Sequence, residues 1–423
     1  MLRALLFGGW VLLSSSLMAQ SPSLSSDSSQ QFTFSAERLQ RIDKFLQSWV
    51  DAGKIPHAQS LVVHRGEVVH NQVYGTADAE RQRPLADNAI WRIASQTKLI
   101  TTLAVMMLYE EGKFLLDDPI SRYISAFDSA RVLVSHDSTT LAYETRPATR
   151  AITIRNLLTH TSGISYEHPL QDHLEFEVPF YTSLDDDLLE EVVDRIAARP
   201  LLHDPGEQFT YGLSTDVLGR LVEVVSGQSL ATFFQQRIFA PLNMNDTYFY
   251  LPKDKEKRLV TLFRKERTDA TLTVQEEPLY QNFARQGERT FYSGGAGLVS
   301  TAADYAKIGQ LILNEGVYQG TRLLSPFTVR LMTRNQIGDL EVWDRHDKFG
   351  FGLQIITPDS RYGDLAPPGA LTWGGLYCSE YTIDPANELV MQVYTNVYPF
   401  AHYSELVRTY RVLVYGAMIK GVD

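Results

Sequence analysis

Apolar positions divide the chain into recognisable elements. Leu39, Ile42, Phe45, Leu46 and Trp49 recur three and four residues apart behind Ser35, which predicts an amphipathic helix with Ser35 as its N-cap. The run from Gln59 to Gly75 reads as two strands joined at Arg65-Gly66. A second helix is predicted from Ser95, with Leu99, Leu103, Met106 and Met107 on its apolar side. A loop-rich insertion is expected at about 129–150. Next, Leu188, Val192, Val193 and Ile196 share one helical face, and Asp185, Asp186 and Asp187 are expected in that helix's first turn, where the dipole favours negative charge. The stretch 214–243 predicts two helices divided at Gly227, and a further helix follows "GGAGLVS". Strand-like runs then return at 350–356, 369–375, 379–385 and 389–396, before a closing helix over 404–420.

This order predicts one interrupted α/β domain over 34–423, in which both termini complete an antiparallel sheet and the middle of the chain forms a mostly helical lobe. A ligand cleft belongs between the lobes. The sequence shows no internal repeat.

Composition narrows the function. With 423 residues, 44% of them hydrophobic, the chain can bury a large core. Its formal net charge of -11 and lack of a basic stretch exclude a nucleic-acid footprint. Arg3, an apolar run and small residues ending at Ala19 form a signal-peptide pattern over 1–19, followed by a polar linker at 20–33. A secreted or periplasmic protein is therefore expected. No cysteine follows the apolar run and no later stretch is long enough to span a bilayer, so no stable membrane anchor is expected. The single cysteine, Cys378, rules out an internal disulfide and reads as a buried free thiol.

Several chemistries fail on motif grounds. There is no G-x-S-x-G elbow and no H-E-x-x-H. His168, His173 and Glu175 match no common zinc spacing and read as surface residues; no metal is expected. "GGAGLVS" has no strand before it and reads as a tight turn.

Ser95-Gln96-Thr97-Lys98 is more informative. Residues three apart on a helix share a face, so the Lys98 ammonium can reach the Ser95 hydroxyl, and an N-terminal position offers the dipole and free N–H groups to an oxyanion. A bare S-x-x-K arises often by chance, and a capping serine beside a solvated lysine would explain it equally well. Its companions are "LLTHTSGIS" (157–165), "PGEQFTYGLSTDVLGRLVEVVSG" (205–227), "SGGAGLVSTAADYAKI" and "WGGLYCSEYTIDP", in that order. Together these resemble the serine β-lactamase-related hydrolases: class C β-lactamases, D,D-peptidases and, in the details, family VIII carboxylesterases. The resemblance covers nearly all of the chain after Phe34.

The resemblance implies a β-lactamase/transpeptidase-like fold and an acyl-enzyme mechanism without metal or organic cofactor. Ser95 would be the nucleophile, Lys98 its partner and Tyr211 the general base. The backbone N–H groups of Ser95 and Leu376 would form the oxyanion hole, and Trp373, Gly374, Gly375 and Leu213 would contact substrate. His160 would be a structural corner. Two departures stand out: Leu213 replaces the asparagine of the Tyr-x-Asn box, and Trp373-Gly374-Gly375 replaces Lys-Thr-Gly. Both remove groups that hold a β-lactam or a peptide C-terminus. A small ester is therefore the expected substrate, with a D-amino-acid peptidase or weak β-lactamase as the alternative. A cell-wall-sensing or penicillin-binding protein without turnover is the non-enzymatic one.

Overall fold

The computed structural model describes residues 34–419 except 81, 172–176 and 180–181; the expected signal segment and linker, with His173 and Glu175, lie outside the described residues. Helix α1 (Ala36–Asp51) starts at Ser35, whose hydroxyl accepts from the Arg38 N–H at 3.3 Å, and buries Ile42, Leu46 and Trp49. Strands β1 (His57–His64) and β2 (Glu67–Gly75) form the hairpin turned at Arg65-Gly66. Helix α2 (Thr97–Glu110) follows a short 3-10 turn at Ala94–Gln96.

The 129–150 insertion is more ordered than its composition suggested. It holds an exposed antiparallel hairpin, β3 (Arg131–His136) and β4 (Tyr143–Pro147). Helices α3 (Leu189–Ala198), α4 (Ser214–Ser226) and α5 (Ala302–Leu313) form much of the helical lobe. Gly227 ends α4 at φ 69°, the left-handed cap that glycine adopts at little cost. The acidic run does not sit in the first turn of α3: the helix begins at Leu189, and Glu190 and Glu191 occupy its first turn. Asp187 instead accepts the Ser183 hydroxyl at 2.5 Å and pairs with Arg195. Asp187 thus pairs with a side chain in the helix's last turn rather than with the dipole at its start.

The C-terminal strands are β5 (Lys348–Phe349), β6 (Gln354–Ile355), β7 (Leu371–Gly375), β8 (Ser379–Asp384) and β9 (Leu389–Tyr394), closed by helix α6 (Tyr403–Ala417). The sheet runs β5-β6-β7-β8-β9-β1-β2, antiparallel throughout, so the N-terminal hairpin pairs with the last strand of the chain. Strands β1, β8 and β9 are buried along their whole length because helices cover both faces. α1 and α6 pack together on one face and α5 lies across the other. Gly309 of α5 makes that crossing close: a Cβ there would meet Val390 side-chain atoms at 2.8 Å.

α2 is the axis of the molecule. Every residue from Thr97 to Leu108 is buried, so its apolar stripe extends all round, as expected of a helix enclosed by protein. Its start, against the β7 edge, positions the site. No described helix is long and apolar enough to cross a membrane.

Candidate active site

Ser95 occupies the middle of the 3-10 turn that leads into α2. The residue before it, Ala94, takes φ 42°, a left-handed conformation that costs a non-glycine residue roughly 1–2 kcal/mol. Such a turn presents Ser95 at the wall of a cleft of about 720 Å³. The amide of Ser95 lies in the first turn, where N–H groups have no intrahelical acceptor.

Lys98 follows one turn later and is 1% exposed. Its ammonium has three donors and three acceptors around it: Ser95 Oγ at 3.4 Å, the Tyr166 hydroxyl at 2.8 Å and the Gly295 carbonyl at 2.9 Å. This set offsets the cost of burying the charge. The Gly295 carbonyl is held by α4. Asp216 Oδ1 accepts from the Ser293 hydroxyl at 2.7 Å and from the Gly295 N–H at 3.1 Å, while Thr101 donates to the Gly294 carbonyl at 2.6 Å. A Cβ on Gly295 would come within 2.5 Å of Asp216 Oδ2, so this turn requires glycine. Burial raises the Asp216 carboxyl, opposed by the nearby Lys98 charge and the two hydrogen bonds.

Two tyrosines flank Lys98. Tyr166 meets it through oxygen and Tyr211 through its ring, whose centroid is 4.8 Å from Nζ. The Tyr211 hydroxyl accepts from Trp373 Nε1 at 3.3 Å, and the two rings lie 5.1 Å apart. His160 fixes the Tyr211 loop from below: its carbonyl accepts from the Thr210 N–H at 2.7 Å and its Nδ1 from the Gly212 N–H at 3.5 Å. Burial holds the His160 imidazole well below its usual pKa, with Lys98 adding to the effect, so it stays neutral. Gly212 is packed so tightly that a Cβ would meet the Ile164 carbonyl oxygen at 2.3 Å. The two loops are therefore packed main chain against main chain, and their tyrosine rings sit 5.4 Å apart.

The opposite wall is the end of β7. A Cβ on Gly375 would approach the Ile93 carbonyl oxygen to 2.3 Å, and one on Gly374 the Tyr403 hydroxyl to 2.2 Å. Glycine lets the strand edge come up against the turn bearing Ser95. Trp373, Gly374, Gly375 and Leu376 line the cleft with Ser95, Tyr166 and Tyr211.

Leu213 does not join them. It lies in the hydrophobic core at the N-terminus of α4, 3% exposed, so the expected substrate contact at that position is corrected. A leucine gains more by full burial in the core than by lining an open cleft. His168 is also corrected: it is buried rather than on the surface, with Nε2 against the Pro200 carbonyl at 2.8 Å. Tyr166, Asp216 and Gly295 were missed. Tyr166 directly follows the His160–Ser165 motif, an aromatic at the exit of a tight turn, which is the one signal that could have pointed to it. Cys378 is free and buried, and burial pushes its thiol well above its usual pKa, away from reactivity. Among the described residues no cluster of three or more His, Cys, Asp or Glu side chains could hold a metal ion.

Residues 42–415 match the Beta-lactamase family. The chain belongs to that family. Among its relatives, Protein Rv1367c of Mycobacterium tuberculosis is 32% identical over 81% of this chain and 86% of its own length. Esterase EstB of Burkholderia gladioli is 28% identical over 84% of this chain and 90% of its own. Among solved structures, Simvastatin Synthase (LovD) from Aspergillus terreus superposes with a TM-score of 0.75 at 25% identity, covering 90% of this chain and 99% of that one. The fold is thus β-lactamase/transpeptidase-like, and the Beta-lactamase family relatives of this chain include esterases and acyltransferases.

Proposed function

We propose that the protein is a serine carboxylesterase that works through an acyl-enzyme on Ser95. The observation that carries this reading is the Lys98 ammonium shared between Ser95 Oγ and the Tyr166 hydroxyl, in a cleft where Trp373 stands on the β7 side of Tyr211. Ser95 Oγ attacks the ester carbonyl and its proton passes to the Tyr211 oxygen, which acts as phenolate. Lys98 and the Trp373 N–H stabilise that anion. The carbonyl oxygen becomes an oxyanion held by the N–H groups of Ser95 and Leu376. Tyr211 then gives the proton to the departing alcohol. Water, activated the same way, releases the acid and restores the serine.

The Trp373-Gly374-Gly375 segment, in place of Lys-Thr-Gly, supports a preference for esters. A lysine beside Tyr211 would give a carboxylate adjacent to the reacting carbonyl a charge-assisted bond; Trp373 offers an apolar face and one donor, already directed at Tyr211. Losing such a contact costs about 1.5–3 kcal/mol. The similarity to EstB supports the same reading. Export, with cleavage after Ala19, completes the proposal; N-terminal sequencing of the exported protein should begin at Gln20.

The test is a panel of p-nitrophenyl esters beside benzylpenicillin and a D-alanyl-D-alanine peptide. Efficient hydrolysis of acetate or butyrate with feeble penicillin opening is expected. Turnover of the peptide alone would make the protein a peptidase, and covalent labelling without turnover a sensor.

A further inference from the structure

The far end of the same cleft carries a charge that the proposed chemistry does not use. Three guanidinium groups surround the Tyr362 ring: Arg345 at 4.1 Å from its centroid, Arg411 at 5.4 Å and Arg408 at 5.7 Å. Two have carboxylate partners. Arg408 binds Asp364 at 2.6 Å, and Arg411 is buried against Glu380. Arg345 makes no ion pair among the described residues. Its direct polar side-chain contact is Gln354 Oε1 at 3.2 Å, and the Gln354 amide nitrogen is occupied by Asp347 at 2.6 Å. Asp347 and the cleft residue Glu380, itself bonded to Arg411, feel the Arg345 charge without an ion pair to it. Among the described residues, Arg345 is the one cation lining the cleft.

Its position is preset. The guanidinium is held between Tyr362 and Trp343, 4.5 Å from the latter's ring centroid. Trp343 stacks on Trp373 at 5.6 Å and 16°, and Trp373 meets Tyr211. Trp343 also meets Tyr211 directly, at 5.8 Å, so Arg345 stands one aromatic ring away from Tyr211, at the end of an apolar track. A guanidinium stacked on rings is weakly hydrated, and its free edge suits a carboxylate fork.

We propose that Arg345 is a specificity-determining residue that binds a carboxylate at the far end of the substrate. The preferred substrates are then esters bearing a terminal carboxylate several bonds from the scissile carbonyl. This inference rests on the esterase reading and sharpens it. A carboxylate next to the reacting carbonyl, as in penicillins, has the Trp343 ring between it and Arg345, whereas one carried on a chain of several methylenes can pass along that ring to the guanidinium. The carboxylate can belong to the acyl half or to the alcohol half.

The experiment compares matched pairs on the parent enzyme and on Arg345→Gln. For the acyl half, mono-(4-nitrophenyl) adipate is set against 4-nitrophenyl hexanoate. For the alcohol half, 6-butyryloxyhexanoate is set against its methyl ester. In the parent, the anionic member of at least one pair should be favoured in kcat/KM by about ten- to a hundredfold, through KM. That advantage should shrink with added salt and vanish in Arg345→Gln, while Arg345→Lys keeps part of it. The pair that shows it identifies the half carrying the charge. Equal kcat/KM within both pairs on the parent overturns the inference while leaving the esterase reading intact, and needs no variant. An anionic preference that survives Arg345→Gln, with the variant still labelled by a fluorophosphonate, also overturns it. Hydrolysis of none of the four esters overturns the esterase reading and this inference together.

Discussion

Two of the described serines, Ser60 and Ser95, each contact a nitrogen-bearing side chain, and they differ in everything else. Ser60 Oγ lies 2.9 Å from His70 Nδ1, and His70 Nε2 lies 3.0 Å from Asp43 Oδ1, which also accepts from Tyr74 at 2.5 Å. Serine, imidazole and carboxylate stand in the order of a catalytic triad. With Asp43 ionised, Nε2 carries the proton, so Nδ1 accepts from Ser60. Yet Ser60 is wholly buried on β1 beneath α6, with the Tyr410 hydroxyl 3.0 Å away on its other side. Ser95 has a weaker array, a 3.4 Å contact to an ammonium, but it stands on a strained turn at the wall of a 720 Å³ cleft. A constellation of side chains becomes a candidate site only where a substrate carbonyl and two spare N–H groups can meet it.

The sharpest way to break this comparison is to delete each hydroxyl. Ser95→Ala should abolish ester hydrolysis and fluorophosphonate labelling in a folded protein. Ser60→Ala should keep both while losing about 1–3 kcal/mol of stability, the scale of an unpaired buried acceptor at His70. Labelling that persists in Ser95→Ala and disappears in Ser60→Ala would reverse the assignment.

Tyr211→Phe should lower kcat by about a hundredfold or more, with little change in KM. Lys98→Ala should be comparably severe, and the double variant little worse than either, because the two groups act as a unit. Tyr166→Phe removes one of the three Lys98 acceptors and should cost less, on the order of tenfold. Steady-state kinetics separate these cases. A Tyr166 variant worse than the Tyr211 variant would move the proton transfer to Tyr166.

Trp373→Lys tests the opposite wall. It should shift the ratio of penicillin to butyrate hydrolysis by roughly tenfold toward penicillin, even if both rates fall. An unchanged ratio would mean that the absent lysine is not what limits β-lactam binding.

The last effect is global. Burial depresses His57 from 6.5 to about 4, and likewise lowers His70 and His160, so all three fold in the neutral form. The unfolded chain then binds more protons than the native one below pH 6.5. The His57 contribution should be complete above that value and fall by up to about 1.4 kcal/mol per pH unit as pH drops towards 4, with His70 and His160 adding in the same direction. Urea midpoints at pH 7 and 5 measure this. His70→Asn should flatten the slope, whereas Ser95→Ala should not.

Much of the fold was legible because its signals are local. Ser35 as N-cap, the Arg65-Gly66 turn and the Gly227 stop each depend on a few adjacent residues. The β3–β4 hairpin was not, because its strands are short, exposed and rich in charge, with little alternation to read. Around the site, Ser95, Lys98, Tyr211 and Trp373 were found through motifs, and the fold brings them within contact of one another. Tyr166 and Asp216 escaped because their partners lie 68 and 79 residues away in sequence, at Lys98 and Gly295. Leu213 misled because its place in a motif said nothing about which way the side chain turns.

The close approach of Gly375 to the Ile93 carbonyl has one more consequence. Main chain meets main chain there, so the gap between nucleophile and strand is set by peptide dimensions and by no side chain. Residues farther along the cleft can be exchanged to suit a new ester without moving Ser95. Gly375 itself has no such freedom, since even a methyl group would push the two walls apart. Engineering of this protein should therefore find a tolerant track and an intolerant contact side by side, with the cleft adjustable at Trp343 and the Ser95 wall fixed at Gly375.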